Sequence, residues 1–126
     1  MLAADHRLTD PDLFRAAGRR GRRAGSRTLV AHLLLPEGQQ VVGMSGETAP
    51  ARVGFVVSKA VGNAVVRNRV KRRLRHAVRP SLGALPPGSV LVVRAQAAAA
   101  AASYAELSDD LARCLDRVGT HGQEAR

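Results

Sequence analysis

The stretch VGNAVVRNRVKRRLRHAVR, Val61 to Arg79, restricts what this chain can fold into more than any other. It carries seven Lys or Arg side chains and no acid. On a helical wheel at ~100° per residue, Val66, Val70, Leu74, Ala77 and Val78 fall on one side. Asn68, Lys71, Arg72, Arg75 and Arg79 fall on the other. Arg69 and Arg73 flank the apolar stripe on one edge and Arg67 on the opposite edge. The spacing predicts a helix with a packed side and a cationic side. The fold must cover the first and leave the second open. Asn63 or Gly62 starts the pattern and Pro80 stops it.

The imbalance of sign extends along the chain. Its 126 residues, a length suited to one domain, carry a formal charge of +10. No acid lies between Asp12 and Glu37, where Arg15, Arg19, Arg20, Arg22, Arg23 and Arg27 do. None lies between Glu47 and Glu106 either, a window with Arg52, Lys59, the basic helix and Arg94. A solvated surface normally mixes both signs. Two acid-free windows therefore point to two contact regions for a polyanion. Arg19 to Arg27 also fits a disordered basic tail. Arg outnumbers Lys eighteen to two, and the planar guanidinium fork suits phosphate and stacks on bases. Asn63 and Asn68 add neutral groups for base edges or 2′-hydroxyls.

The flanking elements suggest a mixed α/β sheet with helices packed on it. TDPDLFRAAG reads as a helix capped by Thr9 or Asp10, with Pro11 in its first turn and Gly18 and Gly21 limiting its length. TLVAHLLLP, Thr28 to Pro36, reads as a strand, and a short edge strand is expected near Val41 to Met44. ARVGFVVSK, Ala51 to Lys59, is apolar almost throughout and suits a central strand. Gly54 within it permits close approach of a backbone or ligand. A further strand is expected from Val90 to Ala95. The alanine run before Ser103 suits either a helix extension or a linker. A last helix follows, with Ser103 and Glu106 as a capping box and Leu107, Leu111, Cys114 or Leu115, and Val118 as its apolar face. Residues 119–126 read as a frayed tail.

Catalytic chemistry is hard to find. There is no phosphate-binding glycine loop and no nucleophile elbow. His6, His32, His76 and His121 fall in four different elements without metal-ligand spacing. Glu106, Asp109 and Asp110 form the nearest carboxylate cluster, but acids at a helix start are common for dipole reasons. The lone Cys114 sits at core spacing. No catalytic residue and no metal ligand is expected. No run approaches the ~20 apolar residues of a membrane span, and MLAADHRLTD lacks the apolar region of a signal peptide, so a cytoplasmic location is expected. Membrane docking fits poorly, because the apolar side of the basic helix has no aromatic anchor. A ribosomal or RNA-chaperone protein would match charge and size.

RVGFVVSKAVGNAVVRNRVKRRLRHAVR, Arg52 to Arg79, resembles the signature of the bacterial ribonuclease P protein subunit family, with Arg67, Asn68 and Arg69 as its Arg-Asn-Arg motif. HRLTDPDLF, RRGRRAGSRTLVAHLL, GSVLVVRAQA and SYAEL resemble the family's other segments in order, so the likeness spans residues 6 to 118. Gly18 stands where many members carry a second aromatic, Ser89 where an acid is common, and Ala60 follows the single Lys59. The resemblance implies a single RNA-binding domain over 1–126, an α+β sandwich with about four strands. It also implies a left-handed β-α-β crossover carrying the basic helix. It implies partnership with a catalytic ribonuclease P RNA and precursor tRNA, with neither DNA nor membrane. Hydrolysis of the 5′ leader would be performed by the RNA and its Mg²⁺, with no cofactor on the protein itself. Asn63, Arg67, Asn68, Arg69, Lys71, Arg72, Arg73 and Arg75 would face the RNA subunit. A cleft between the first helix and the sheet would take the leader, using Phe14, Arg15, Arg52, Phe55, Val57, Ser58 and Lys59. Phe55, Val57 and Lys59 alternate and should share a face. Core packing is the other reading of Phe14 and Phe55.

Overall fold

The computed structural model describes residues 7–35 and 50–124. Helix α1 spans Pro11–Arg20, strand β1 Arg22–Gly25, β2 Leu29–Leu34 and β3 Arg52–Val56. Helix α2 spans Ala64–Val78, β4 Val90–Ala95 and α3 Tyr104–Glu124. Short 3-10 helices cover Arg79–Ala84 and Ala97–Ala100. The strands form one mixed sheet in the order β1-β2-β4-β3. β1 and β4 each pair antiparallel with β2, and β3 runs parallel to β4. The expected strand near Val41 to Met44 lies outside the described residues.

Local chemistry explains most of these boundaries. Asp10 caps α1 by accepting from the Asp12 N–H at 2.9 Å, and Pro11 occupies the first turn, where no donor is lost. The helix runs through Gly18 and ends where Gly21 N–H donates to Ala17 C=O. Asn63 caps α2, and the chain tightens into a 3-10 helix at Arg79 and Pro80. At α3, Ser103 Oγ accepts from Glu106 N–H while Glu106 Oε1 accepts from Ser103 N–H, the expected reciprocal box. The alanine run is neither helix extension nor open linker but a 3-10 turn. Residues 119–124, expected to fray, continue α3 through Glu124. Arg22–Gly25, which also fitted a disordered tail, is strand β1, because its backbone pairs with β2.

Both faces of the sheet are covered. Helices α2 and α3 pack on one face, where Leu29, Leu33, Val53, Leu91 and Val93 meet Val70, Leu74, Leu107, Leu111 and Cys114. Helix α1 covers part of the other, where Ala17, Leu8, Val90 and Val92 meet. Double coverage accounts for the continuous apolar runs in β3 and β4. It also explains why β3, expected to be central, lies at the end of the sheet order. Among the described residues only a bridge from Arg7 to Val53 lies beyond β3, with Leu8 N–H donating to Val53 C=O. An apolar run reports two covered faces, not neighbours on both edges.

The β3-α2-β4 connection joins parallel neighbours, and its hand follows from the register. Arg52 N–H donates to Ser89 C=O, so even positions of β3 bond toward β4. Gly54 faces α1, whereas Val53 packs on the α2 side. For L-residues this combination puts β4 to the left of β3, seen from the α2 side with the strands pointing up. The crossover is left-handed, the hand found in about 2% of such connections.

Candidate RNA interface

The cationic side of α2 is open as the wheel requires. Asn68 and Arg72 are exposed, and Lys71 and Arg75 are half-buried along the same side. Asn63 Oδ1 accepts from Val66 N–H at 3.0 Å, and the first turn holds no acid. The helix itself thus supplies no counter-charge to the positive end of its dipole, which favours an anion there. Val65, 73% exposed, adds an apolar tip at the same end.

Arg69 and Arg73 depart from expectation. Arg69 Nη2 donates to Ala100 C=O at 3.2 Å and Arg73 Nη1 to Ala102 C=O at 3.0 Å. Their edge of the stripe lies against the 3-10 turn leading to α3, where the Ala100 and Ala102 carbonyls accept these bonds. Part of each guanidinium is therefore committed to the fold. Arg67 is half-buried, with its Nε shielded.

A cleft of about 150 Å³ opens at the β3 edge, lined by Arg7, Leu8, Thr9, Phe14, Val53, Gly54, Phe55, Lys71 and Arg75. Phe14 and Phe55 both reach it half-buried, so neither is a full core residue. They arrive from opposite sides of the sheet. A Cβ at Gly54 would overlap the Phe14 ring, so the glycine admits that ring against the strand. Phe55 packs beside the α2-side core. The expected grouping is corrected here. Val57 is buried in the α2-side core, past the end of β3. Ser58 and Lys59 are exposed in the following turn, so Lys59 does not continue the face. Arg52 is exposed on β3 and Arg15 pairs with Asp12 on α1. None of these five lines the cleft. Lys71 and Arg75, assigned to a separate surface, line it because β3 is a sheet end and α2 runs beside it.

Three further residues were missed. His32 on β2 is 8% exposed and its Nδ1 has no partner among the described residues. Arg23 is its register partner on β1, and Arg94 lies on β4. Burial first, then the charges of Arg94 and Arg23, push the imidazole below its usual pKa. Strand alternation marks each residue singly, but only cross-strand pairing unites them. Glu106 and Asp110 lie elsewhere, at the start of α3. Thr28 Oγ1 donates to Asp110 Oδ2 at 2.5 Å, Arg113 bonds Asp110 at 2.5 Å, and Arg27 meets Glu106 at 3.5 Å. Arg27, Glu106, Asp110 and Arg113 line a cavity of about 410 Å³ between the residues before β2 and α3. Among the described residues no His, Cys, Asp or Glu group is arranged to hold a metal ion. No helix among them is long and apolar enough to cross a membrane.

A basic helix on a left-handed crossover, beside an aromatic cleft, is a specific combination to compare with known proteins. The profile of the family described as Ribonuclease P matches residues 2–119. The chain belongs to the ribonuclease P protein family. The ribonuclease P protein component of a Nocardioides species is 61% identical over 119 residues, covering 94% of this chain and 96% of that one. That of Streptomyces bikiniensis is 54% identical, covering 94% and 95%. The RNase P protein of Staphylococcus aureus superposes with a TM-score of 0.73 at 21% identity, covering 90% of this chain and 95% of that one. The Thermotoga maritima RNase P protein gives 0.66 at 21%, covering 85% and 92%. These two solved structures match the fold. Ribonuclease P proteins serve in processing the tRNA 5′ leader, and this chain is accordingly a component of that ribonucleoprotein, with the RNase P RNA as its partner.

Proposed function

We propose that this chain binds two RNAs at adjoining surfaces, the RNase P RNA along the open side of α2 and the 5′ leader of precursor tRNA in the β3-edge cleft. The observation that carries this reading is the cleft's composition: two half-buried phenyl rings beside Arg7, Lys71 and Arg75, with no carboxylate lining it among the described residues. A ring offers any base a stacking face, while cations track the backbone of a single strand. Arg23 and Arg94, on either side of the buried His32, extend the cationic surface on the α1 side. The phosphodiester hydrolysis belongs to the RNA partner and the Mg²⁺ it holds, and the protein binds no cofactor of its own. The cytoplasm, where tRNA precursors are made in bacteria, is the fitting location.

The test is reconstitution. The full chain, added to RNase P RNA and precursor tRNA at low Mg²⁺, should stimulate release of the leader. The same preparation without RNA subunit, treated to remove nucleic acid, should leave the precursor intact. Cleavage by that RNA-free protein would place the chemistry on this chain and overturn the division of roles.

A further inference from the structure

A second groove, on the other flank of α2, shares Arg75 with the cleft and otherwise has its own lining. It lies between α2 and the start of α3 and measures about 530 Å³, lined by Arg72, Arg73, Arg75, His76 and Tyr104. Tyr104 is 43% exposed. It and Val65 are the large hydrophobic residues left exposed among the described residues, and both adjoin the cationic side of α2. A solvated tyrosine with only a packing role would not need this setting.

The backbone at Tyr104 is also anchored. This residue is the first of α3, inside the capping box that Ser103 and Glu106 form. The bond from Arg73 to Ala102 C=O ties the preceding residues to α2. The groove therefore pairs an aromatic side chain on an anchored backbone with Arg72 and Arg75, and among the described residues no carboxylate lines it. Its volume lies within the 300–1,000 Å³ usual for small-ligand sites, enough for a nucleotide.

We infer that this groove receives one unpaired nucleotide of the RNase P RNA, its base stacked on Tyr104 and its flanking phosphates held by Arg72 and Arg75. The inference rests on the proposed assignment of α2 to the RNA subunit. Charge complementarity selects a polyanion, and the exposed ring selects an unstacked base over a duplex, whose bases are already stacked.

The chain contains one tyrosine and no tryptophan, so tyrosine emission reports this groove alone. RNase P RNA, with no tRNA present, is titrated into the full-length protein, and emission is corrected for absorption with free tyrosinamide in the same RNA. Binding should quench Tyr104. Tyr104→Leu should bind the RNA ~5-fold or more weakly, the scale of one lost stack. Tyr104→Phe, which keeps the ring, should restore affinity. Unquenched emission in the bound state, or equal affinity for the Leu variant, overturns the inference. If quenching occurs without stimulation of cleavage, the functional reading fails and the groove stands. Stimulation without quenching sinks the groove alone.

Discussion

The Phe14 ring occupies the space that a side chain at Gly54 would fill. Helix α1 is thereby keyed to β3 through one missing methyl group. Gly54→Ala should force the ring away and cost about 1–3 kcal/mol, as overpacking does. Because the displaced ring lines the cleft, the assembled enzyme should also lose preference for precursor over mature tRNA. A melting curve and a pair of binding curves would check this; a variant unchanged in both would contradict the placement of Phe14.

Phe55 is half-buried, which predicts a split phenotype. Phe55→Ala should lose less stability than the ~3–5 kcal/mol of a fully buried ring. Its affinity for precursor tRNA in the assembled enzyme should fall ~5-fold or more, the scale of one stacked base. Mature tRNA, lacking a leader, should bind as before. Equal loss for both ligands would assign the ring to packing.

Arginines on α2 should separate into two classes. Arg69→Ala and Arg73→Ala each remove a bond to a carbonyl at the entry to α3. Each should lower stability by about 1.5–3 kcal/mol if the bond has the strength usual for charged donors. Arg72→Ala, on the exposed side, should leave the melting temperature near wild type and weaken binding to the RNA. A melt of all three variants beside RNA titrations tests the division.

Asp110 gives the fold an acid-side limit. The Thr28 hydroxyl bond is the largest influence holding its carboxyl below the usual range, with burial opposing and Arg113 and Ser26 assisting. A depressed folded pKa means the stabilisation is complete above the unfolded value of about 3.9 and is lost as pH falls through the lower folded value. Thr28→Val should therefore be least stable relative to wild type near neutral pH, with the gap narrowing below about pH 4. A gap that stays constant down to pH 2 would remove the Thr28–Asp110 linkage.

His32 acts in the same direction at higher pH. Its folded pKa is pushed down by burial, then by Arg94 and Arg23. The unfolded chain binds the proton more readily, so stability should decline as pH drops through about 6.5 toward the folded value. His32→Leu should flatten that decline. Thermal melts of both proteins from pH 8 to 5 would show it, and parallel curves would count against it.

The sequence alone determined the basic helix, its start at Asn63 or Gly62, its packed stripe and the capping box at Ser103, because these depend on residues within about one or two turns of each other. It also carried the family resemblance, concentrated in Arg52 to Arg79. Tertiary structure decided which cations meet which rings. Phe14 and Phe55 approach one cleft from opposite faces of the sheet, and Lys71 reaches it because β3 ends the strand order. Arg69 and Arg73 were drawn from the RNA side to the fold by two carbonyls about thirty residues downstream. Arg23, His32 and Arg94 were brought together only through strand pairing. Alternation and helical period fix the side on which a residue emerges. What it meets there depends on strand order and crossover hand, and those are set by how the two covered faces of the sheet pack, over separations that no local pattern spans.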